Sequence, residues 1–353
     1  MAKKPPSAHP FRIFWLSGLL TIVLGAFATS QLGLAGLWLF AILVVLEVTF
    51  SFDNAVINSK VLKRMSEVWQ KIFLTVGIFI AVFVVRFLLP IIIVMIASKL
   101  GFTEVVNLAV NDPDHYGEVL HEAAPMIDAF GGAFLIMIGI SYFMDRKKDI
   151  HWLGAIEKRL ARAGKFENLK ALVMLSTAMI LYATVDSKYE VTVLVACILG
   201  VILHMGLEVF GAYFESKQSH AKILVGWAAF ASFMYLEVLD ASFSFDGVIG
   251  AFAITNNIIL IITGLAAGAI WVRSLTIYLL RAGTLGKYRY LEHGAHWAIL
   301  ALGIVMFVKL YHVQPPEIVT GSLGLVFIAT AVATSIFEKR RQQNKLTTTR
   351  AAK

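Results

Sequence analysis

The sequence predicts an all-α polytopic membrane protein with about ten transmembrane helices in an inverted-repeat arrangement, including two broken acidic helices. Three observations support this fold class: the composition, the distribution of basic residues among the loops, and an acidic motif that occurs twice. Of the 353 residues, 58% are hydrophobic and 15% are charged. These fractions lie far outside the range of soluble domains, which disfavours a soluble helical protein.

Ten apolar segments account for most of the chain, and each is a candidate transmembrane helix. Several are longer than one untilted span requires, which predicts tilted or broken helices. The fifth segment is the shortest. The segments are Phe11–Thr29, Gly33–Ile57, Ile72–Ser98, Met126–Met144, Ala171–Val185, Val191–Phe214, Ile223–Ala253, Ile258–Leu280, Ala295–Tyr311 and Ile318–Phe337.

Basic residues alternate between the loops. With both termini in the cytoplasm, 26 of the 31 Lys and Arg residues fall on the cytoplasmic side, as the positive-inside rule requires. The net charge of +8 is therefore confined to one face and does not indicate nucleic-acid binding. We expect an integral protein of a bacterial inner or plasma membrane. Its predicted parts are an N-terminal tail (1–11), a first transmembrane half (12–145, acidic motif 47–54), a basic cytoplasmic loop (146–170), a second transmembrane half (171–337, acidic motif 237–247) and a C-terminal tail (338–353).

Two connecting regions differ from the other loops. The basic loop is predicted to contain a short amphipathic helix, His151–Ala163, that lies against anionic membrane lipids. The region Leu100–Pro125 is predicted outside and is rich in acidic residues. A solvated acidic loop is the favoured interpretation there, and a region that gathers cations is the alternative.

The acidic motif reads L-E-V-T-F-S-F-D-N-A-V-I from Leu46 and L-E-V-L-D-A-S-F-S-F-D-G-V-I-G from Leu236. Aligning the two Phe-Ser-Phe-Asp runs places Asp53 on Asp246. Ionisable groups inside apolar segments are costly and normally mark a pathway or a site.

A second pattern repeats after each acidic motif. The third segment contains the pattern Gly-x-x-x-Ala-x-x-x-x-Arg, whose arginine is Arg86. The eighth contains Gly-x-x-x-Gly-x-x-x-x-Arg, whose arginine is Arg273. The acidic segments are five crossings apart, so they are predicted to run in opposite directions, as in the inverted repeats of secondary transporters. We expect Arg86 and Arg273 to compensate charge by reaching an acidic segment in the metal-free state.

Each acidic helix is predicted to be broken. On one continuous helix Glu47, Ser51 and Asn54 share a face, whereas Asp53 lies about 240° round from Glu47. Both carboxylates face one site only if the helix unwinds between them. Asp53 precedes Asn54 and Asp246 precedes Gly247, and Asn and Gly are the residues that most readily end a helix.

Carboxylate, hydroxyl and amide oxygens form a hard-ligand set that favours Mg²⁺, Ca²⁺ or Mn²⁺. The single cysteine, Cys197, excludes a thiolate metal cage. A purely structural role, in which each carboxylate pairs with an arginine, is the alternative. His204 and Glu208 form a further pair that suits a ligand role or a packing hydrogen bond equally. The candidate ligands are Glu47, Ser51, Asp53, Asn54, Glu237, Asp240, Ser244 and Asp246.

The two acidic blocks, with the arginine-bearing segments that follow them, resemble the TerC family of integral membrane proteins. The resemblance covers roughly residues 40–90 and 230–310. It implies a link to tellurium resistance and to manganese efflux, with Glu47, Asp53, Glu237, Asp240 and Asp246 as the metal-site carboxylates. The chain differs from the common form in its length and in having Gly247 within the second motif.

The predicted function is that of a secondary transporter, not an enzyme, that exports a divalent cation, with Mn²⁺ favoured. Because the sequence contains no nucleotide-binding motif, we expect coupling to protons or to the membrane potential, and cation/proton antiport is the favoured hypothesis. No resident cofactor is expected. One alternative is an exporter of a small organic cation or amino acid, with Trp38, Trp227 and Trp271 lining its site. An intramembrane aspartyl protease built on Asp53 and Asp246 is disfavoured by the extra carboxylates and the missing Gly-x-Gly-Asp run.

Overall fold

The computed structural model describes residues 9–166, 168–216, 223–252 and 254–351. The chain is 85% helical, and the described residues form no strand. The helices are α1 (Pro10–Phe50), α2 (Phe52–Lys63), α3 (Glu67–Phe79), a π-helical segment (Ile80–Leu88), α4 (Leu89–Ser98), α5 (Phe102–Asn111), α6 (Pro113–Glu122), α7 (Ala124–Phe143), α8 (Gly154–Ala163), α9 (Leu169–Thr184), α10 (Glu190–Ser216), α11 (Gly226–Phe252), α12 (Ile258–Arg281), α13 (Thr284–Lys287), α14 (Leu291–Lys309) and α15 (Glu317–Ala351).

The predicted helical membrane protein is confirmed at this level. Among the described residues, each of the ten apolar segments lies mostly in helices. Within the described ranges, seven helices are long and apolar enough to cross a membrane: α1, α3 through α4 as one span, α7, α10, α12, α14 and most of α15. Helix α9, the fifth segment, is apolar but has only 16 residues.

Helix α1 reverses direction at Gly33. This residue has φ 64° and ψ −153°, a conformation that is essentially restricted to glycine. On either side the chain folds back on itself, because a Cβ atom at Gly25 would lie 3.4 Å from the Phe40 ring. The two arms of this hairpin correspond to the first two predicted segments.

Helix α12 packs against both arms of the α1 hairpin. Ser17 and Ser274 share a hydrogen bond of 2.7 Å, and the Trp271 indole donates to Thr21 over 2.8 Å. On the second arm, a Cβ atom at Gly268 would lie 2.5 Å from Glu47 Cβ. The beginning of the chain is therefore held against its eighth apolar segment.

The first acidic segment is broken, and the second is not. Helix α1 ends at Phe50, Ser51 has non-helical dihedrals of φ −103° and ψ 13°, and α2 starts at Phe52. The predicted break near Gly247 is wrong, because α11 is one helix from Gly226 to Phe252. Packing explains the glycine at position 247, because a Cβ atom there would lie 3.1 Å from Glu47 Oε2. This glycine gives room for a carboxylate instead of ending a helix.

The two acidic segments run antiparallel. Glu47 faces Gly247, and Asn54, seven residues later in the chain, bonds to Asp240, seven residues earlier. The two segments therefore run in opposite directions where they pack together.

The span that carries Arg86 contains a π-helix that the apolar pattern alone does not predict. Pro90 follows the π-helical segment directly. Proline cannot donate a backbone hydrogen bond, and its ring clashes with the carbonyl group four residues earlier, which is that of Arg86. Widening the helix before Pro90 relieves this clash and sets the direction of the Arg86 side chain.

The region 100–125 is folded. Helices α5 and α6 occupy it and pack against α4. Tyr116 and Leu120 are buried in the same core cluster as Leu43 and Leu265. The acidic side chains Glu104 and Glu118 remain at the surface, so this region is an ordered cap with an acidic exterior.

Candidate functional site

A buried ion-pair network connects the two acidic segments. Its centre is Asp240, whose Oδ2 atom lies 3.2 Å from Arg273 Nη2 and 3.6 Å from Arg86 Nη1. Arg273 also makes a bidentate contact with Glu237, at 2.8 and 2.9 Å. Arg86 pairs with Glu47. One oxygen of Asp240 is thus shared by an arginine from each half of the chain.

An amide group provides a second link between the halves. The Asn54 side chain donates to Asp240 Oδ1 over 2.7 Å. Ser51, at the break in the first segment, donates to Glu47 Oε1 over 3.0 Å. The predicted candidates Glu47, Ser51, Asn54 and Asp240 therefore belong to one connected network.

Close helix packing brings the arginines to these carboxylates. A Cβ atom at Gly77 of α3 would lie 2.7 Å from Arg273 Nη1 and 2.8 Å from Glu237 Oε1. The Arg273 guanidinium also lies over the Phe73 ring, 4.0 Å from its centre. Helix α3 of the first half thus covers α11, whereas α12 of the second half covers α1.

Several oxygen atoms in this region have no hydrogen-bond partner among the described residues. They are Glu47 Oε2, Asn54 Oδ1, Ser244 Oγ and Asn58 Oδ1. The donors Arg86 Nε and Asn58 Nδ2 also lack a partner among the described residues. Buried polar atoms are almost always paired, so these acceptors and donors indicate a polar region that takes water or a ligand. Asn58 was not among the sequence candidates, although its position four residues after Asn54 places it on the same helix face.

The described residues do not form a complete metal cage. No three His, Cys, Asp or Glu side chains within the described part of the chain come together as a ligand set. Glu47, Glu237 and Asp240 each have an arginine instead. The side chain of Asp246 lies outside the described part of the structure.

Asp53 faces a different part of the bundle from Glu47. Its carboxylate accepts a hydrogen bond from its neighbour Asn54 N, at 3.0 Å, and borders a cavity of about 10 Å³ that Phe243 and Thr320 also line. A Cβ atom at Gly324 would lie 3.3 Å from Asp53 Cγ. The break at Ser51 therefore does not bring Asp53 to Asp240, and Asp53 instead meets α15.

The remaining sequence candidates lie elsewhere. His204 contacts Ser141 at 3.0 Å, and Glu208 pairs with Lys170 at 2.5 Å, so this pair ties α10 to α7 and α9. Trp38 and Trp227 are 69% and 65% exposed.

The helical fold and the buried charge network define an all-α membrane protein. Residues 52–342 match the family described as "Protein of unknown function (DUF475)", and the chain belongs to that family. No curated protein matches the sequence. No solved structure matches it either.

Proposed function

We propose that this protein is a secondary transporter that exports a divalent cation, with Mn²⁺ favoured, in exchange for protons. One observation carries the proposal: Asp240 is held by Asn54 and Arg86 from one half and by Arg273 from the other. Beside this junction, Glu47 and Asn54 each have an oxygen that no described residue contacts by a hydrogen bond. The resemblance of both acidic motifs to the TerC family supports the same ion class.

The proposed architecture has ten spans in two inverted halves, with both termini in the cytoplasm. Counting the arms of α1 separately and adding α9 and α11 to the helices that can span a membrane gives this number. The antiparallel acidic segments and the reciprocal packing of α3 on α11 and α12 on α1 support the inverted relation. In such transporters the substrate site lies where the halves meet.

The arrangement suggests how the cation is released. The two arginines occupy Glu47, Glu237 and Asp240 in this conformation, so they compete with a cation for the same carboxylates. A cation displaces the guanidinium groups when it binds, and their return expels it. Carboxylates that are neutralised neither by the cation nor by an arginine repel one another and bind protons. This proton uptake couples cation export to proton movement.

Transport into proteoliposomes tests the proposal. Asp240→Asn and Glu47→Gln are expected to abolish Mn²⁺ flux because both residues belong to the central network. The resemblance to the TerC family extends this expectation to Asp53→Asn and Asp246→Asn. The matched control is Glu118→Gln, whose carboxylate is 77% exposed in α6 and should leave flux unchanged.

The same assay identifies the transported ion and tests the alternative substrate class. Flux is measured with Mn²⁺, Ca²⁺, Mg²⁺ and small organic amines in turn. Full Mn²⁺ flux in folded Asp240→Asn protein contradicts the assigned site, and amine flux without any metal flux supports the organic-cation exporter instead.

A further inference from the structure

A second charged cavity lies at the basic end of the bundle, far in sequence from the acidic motifs. It has a volume of about 450 Å³ and is formed by the α7–α8 connection and one face of α8. We call it the basic cavity. Six of its lining residues are basic or histidine: Arg146, Lys148, His151, Lys158, Arg162 and Lys165.

The lysines and arginines around the basic cavity form no ion pair with a carboxylate among the described residues. None of its five Lys and Arg residues forms an ion pair within 4.0 Å with a described residue; the ion pairs nearest in sequence belong to His151 and to Lys170. The acidic residue of α8, Glu157, is buried, lies 3.9 Å from the cavity residue His151, and is also hydrogen-bonded to His293 and Trp297. Like charges that converge on one cavity repel one another, so the arrangement is stabilised when an anion binds.

The walls of the cavity are held in place before any ligand binds. Gly164, which ends α8, packs so closely on the Met144 carbonyl oxygen that no side chain fits there. Glu157 fixes the start of α8 by accepting hydrogen bonds from Trp152 N at 2.9 Å and from the Trp297 indole at 2.9 Å. A preformed site loses less entropy on binding.

The basic wall points away from the apolar side of α8. Lys158, Ala161, Arg162 and Lys165 share one helix face. Ile156 is 52% exposed and lies about 200° round the helix from Lys158. If the apolar side contacts lipid, the cavity opens toward water, which favours a soluble ligand over a lipid headgroup.

We propose that the basic cavity binds a soluble anion with two or more phosphate groups, such as pyrophosphate or the polyphosphate part of a nucleotide. The total positive charge of the five cationic side chains exceeds the negative charge of one phosphate. The two arginines provide the paired donors that suit phosphate oxygens. The site is independent of the proposed transport function.

The chemistry of Lys148 agrees with this assignment. Burial lowers the pKa of Lys148 to about 8, against the weaker opposing influence of Glu157 and Glu292. Its ammonium group lies 3.0 Å from the centre of the Tyr142 ring. An anion in the cavity adds counter-charge beside this half-buried cation.

Binding of pyrophosphate to the full-length protein in phosphatidylcholine nanodiscs, followed by calorimetry, tests the proposal. We expect the Lys158→Gln/Arg162→Gln double variant to bind about tenfold more weakly or worse. Arg159→Gln, on the same helix but outside the cavity, should bind within about twofold of the wild type. Lys165→Gln is the second cavity variant, should the double variant not fold.

Three outcomes overturn the proposal. One is equal binding of pyrophosphate by the wild type and both cavity variants. Another is an equal loss in Arg159→Gln, which would indicate general charge attraction. A third uses phosphatidylglycerol nanodiscs: retention of that lipid that depends on Lys158 and Arg162, without pyrophosphate binding, would assign the cavity to a lipid headgroup.

Discussion

Replacing Arg86 by glutamine isolates the contribution of one arginine to the central network. Arg86 is 3% exposed, pairs with Glu47 and Asp240, and donates to the Ala81 carbonyl oxygen over 2.7 Å. Glutamine retains a polar group but no charge. Removing one partner of a buried ion pair typically costs about 3–5 kcal/mol. Proton uptake by Glu47 or Asp240 relieves part of this cost, so we expect a loss of about 3 kcal/mol with one additional bound proton.

The same substitution should separate cation binding from cation release. A cation that binds Glu47 no longer competes with the Arg86 guanidinium, so the affinity for Mn²⁺ should be unchanged or higher. The returning guanidinium no longer expels the cation, so turnover should fall. Affinity is measured by Mn²⁺ titration in detergent, and turnover is measured by flux into proteoliposomes.

Arg289 provides the matched control. It pairs with Glu338 at 3.1 Å, but the two side chains are 47% and 33% exposed, and pairs of this kind contribute less than about 1 kcal/mol. Arg289→Gln should therefore unfold in denaturant like the wild type. The reasoning is refuted if Arg86→Gln is as stable as Arg289→Gln, or if its Mn²⁺ affinity falls in step with its turnover.

Two further substitutions test the fold. Burial alone would raise the pKa of Glu157, but hydrogen bonds, led by that from His293, hold it at about 2 against an ordinary value of 4.5. Near neutral pH the free energy of unfolding of the wild type should therefore exceed that of Glu157→Gln by about 3 kcal/mol. Denaturant titrations should show this difference disappearing as the pH falls from 4.5 through 2. Gly33→Ala should cost about 1–3 kcal/mol, because alanine is strained at a φ of 64°. Gly18→Ala, in open space within a helix, should be neutral or stabilising, and equal stability of the two alanine variants would contradict the hairpin at Gly33.

The sequence determines the helices well, because burial in lipid requires long apolar runs that composition alone reveals. A break in the first acidic segment was also predicted, but from the premise that Glu47 and Asp53 face a single site, and the structure places Asp53 elsewhere. What the break achieves was not predictable. The new helix turns Asp53 toward Gly324 on α15, and its direction depends on packing with a helix that lies more than 260 residues away in sequence.

The same limit explains the errors in the second half. Gly247 suggested a helix end, because glycine adopts conformations that other residues avoid. Its actual contribution is the space it leaves for Glu47, a tertiary contact that no local pattern encodes. The π-helix before Pro90 did have a local signal, since proline inside an apolar span disturbs the preceding turn.

The contact between α1 and α12 has a consequence for biosynthesis. Ser17 and Ser274, which share a hydrogen bond, are 257 positions apart. The α1 hairpin therefore enters the membrane long before its packing partner has been translated, with Ser17 and Thr21 not yet covered by α12. Uncovered polar groups in hydrocarbon are costly, so the nascent hairpin needs protection by the insertion machinery until α12 emerges. A truncated chain that stops before Ile258 would expose this polar face permanently and present a target for membrane proteolysis.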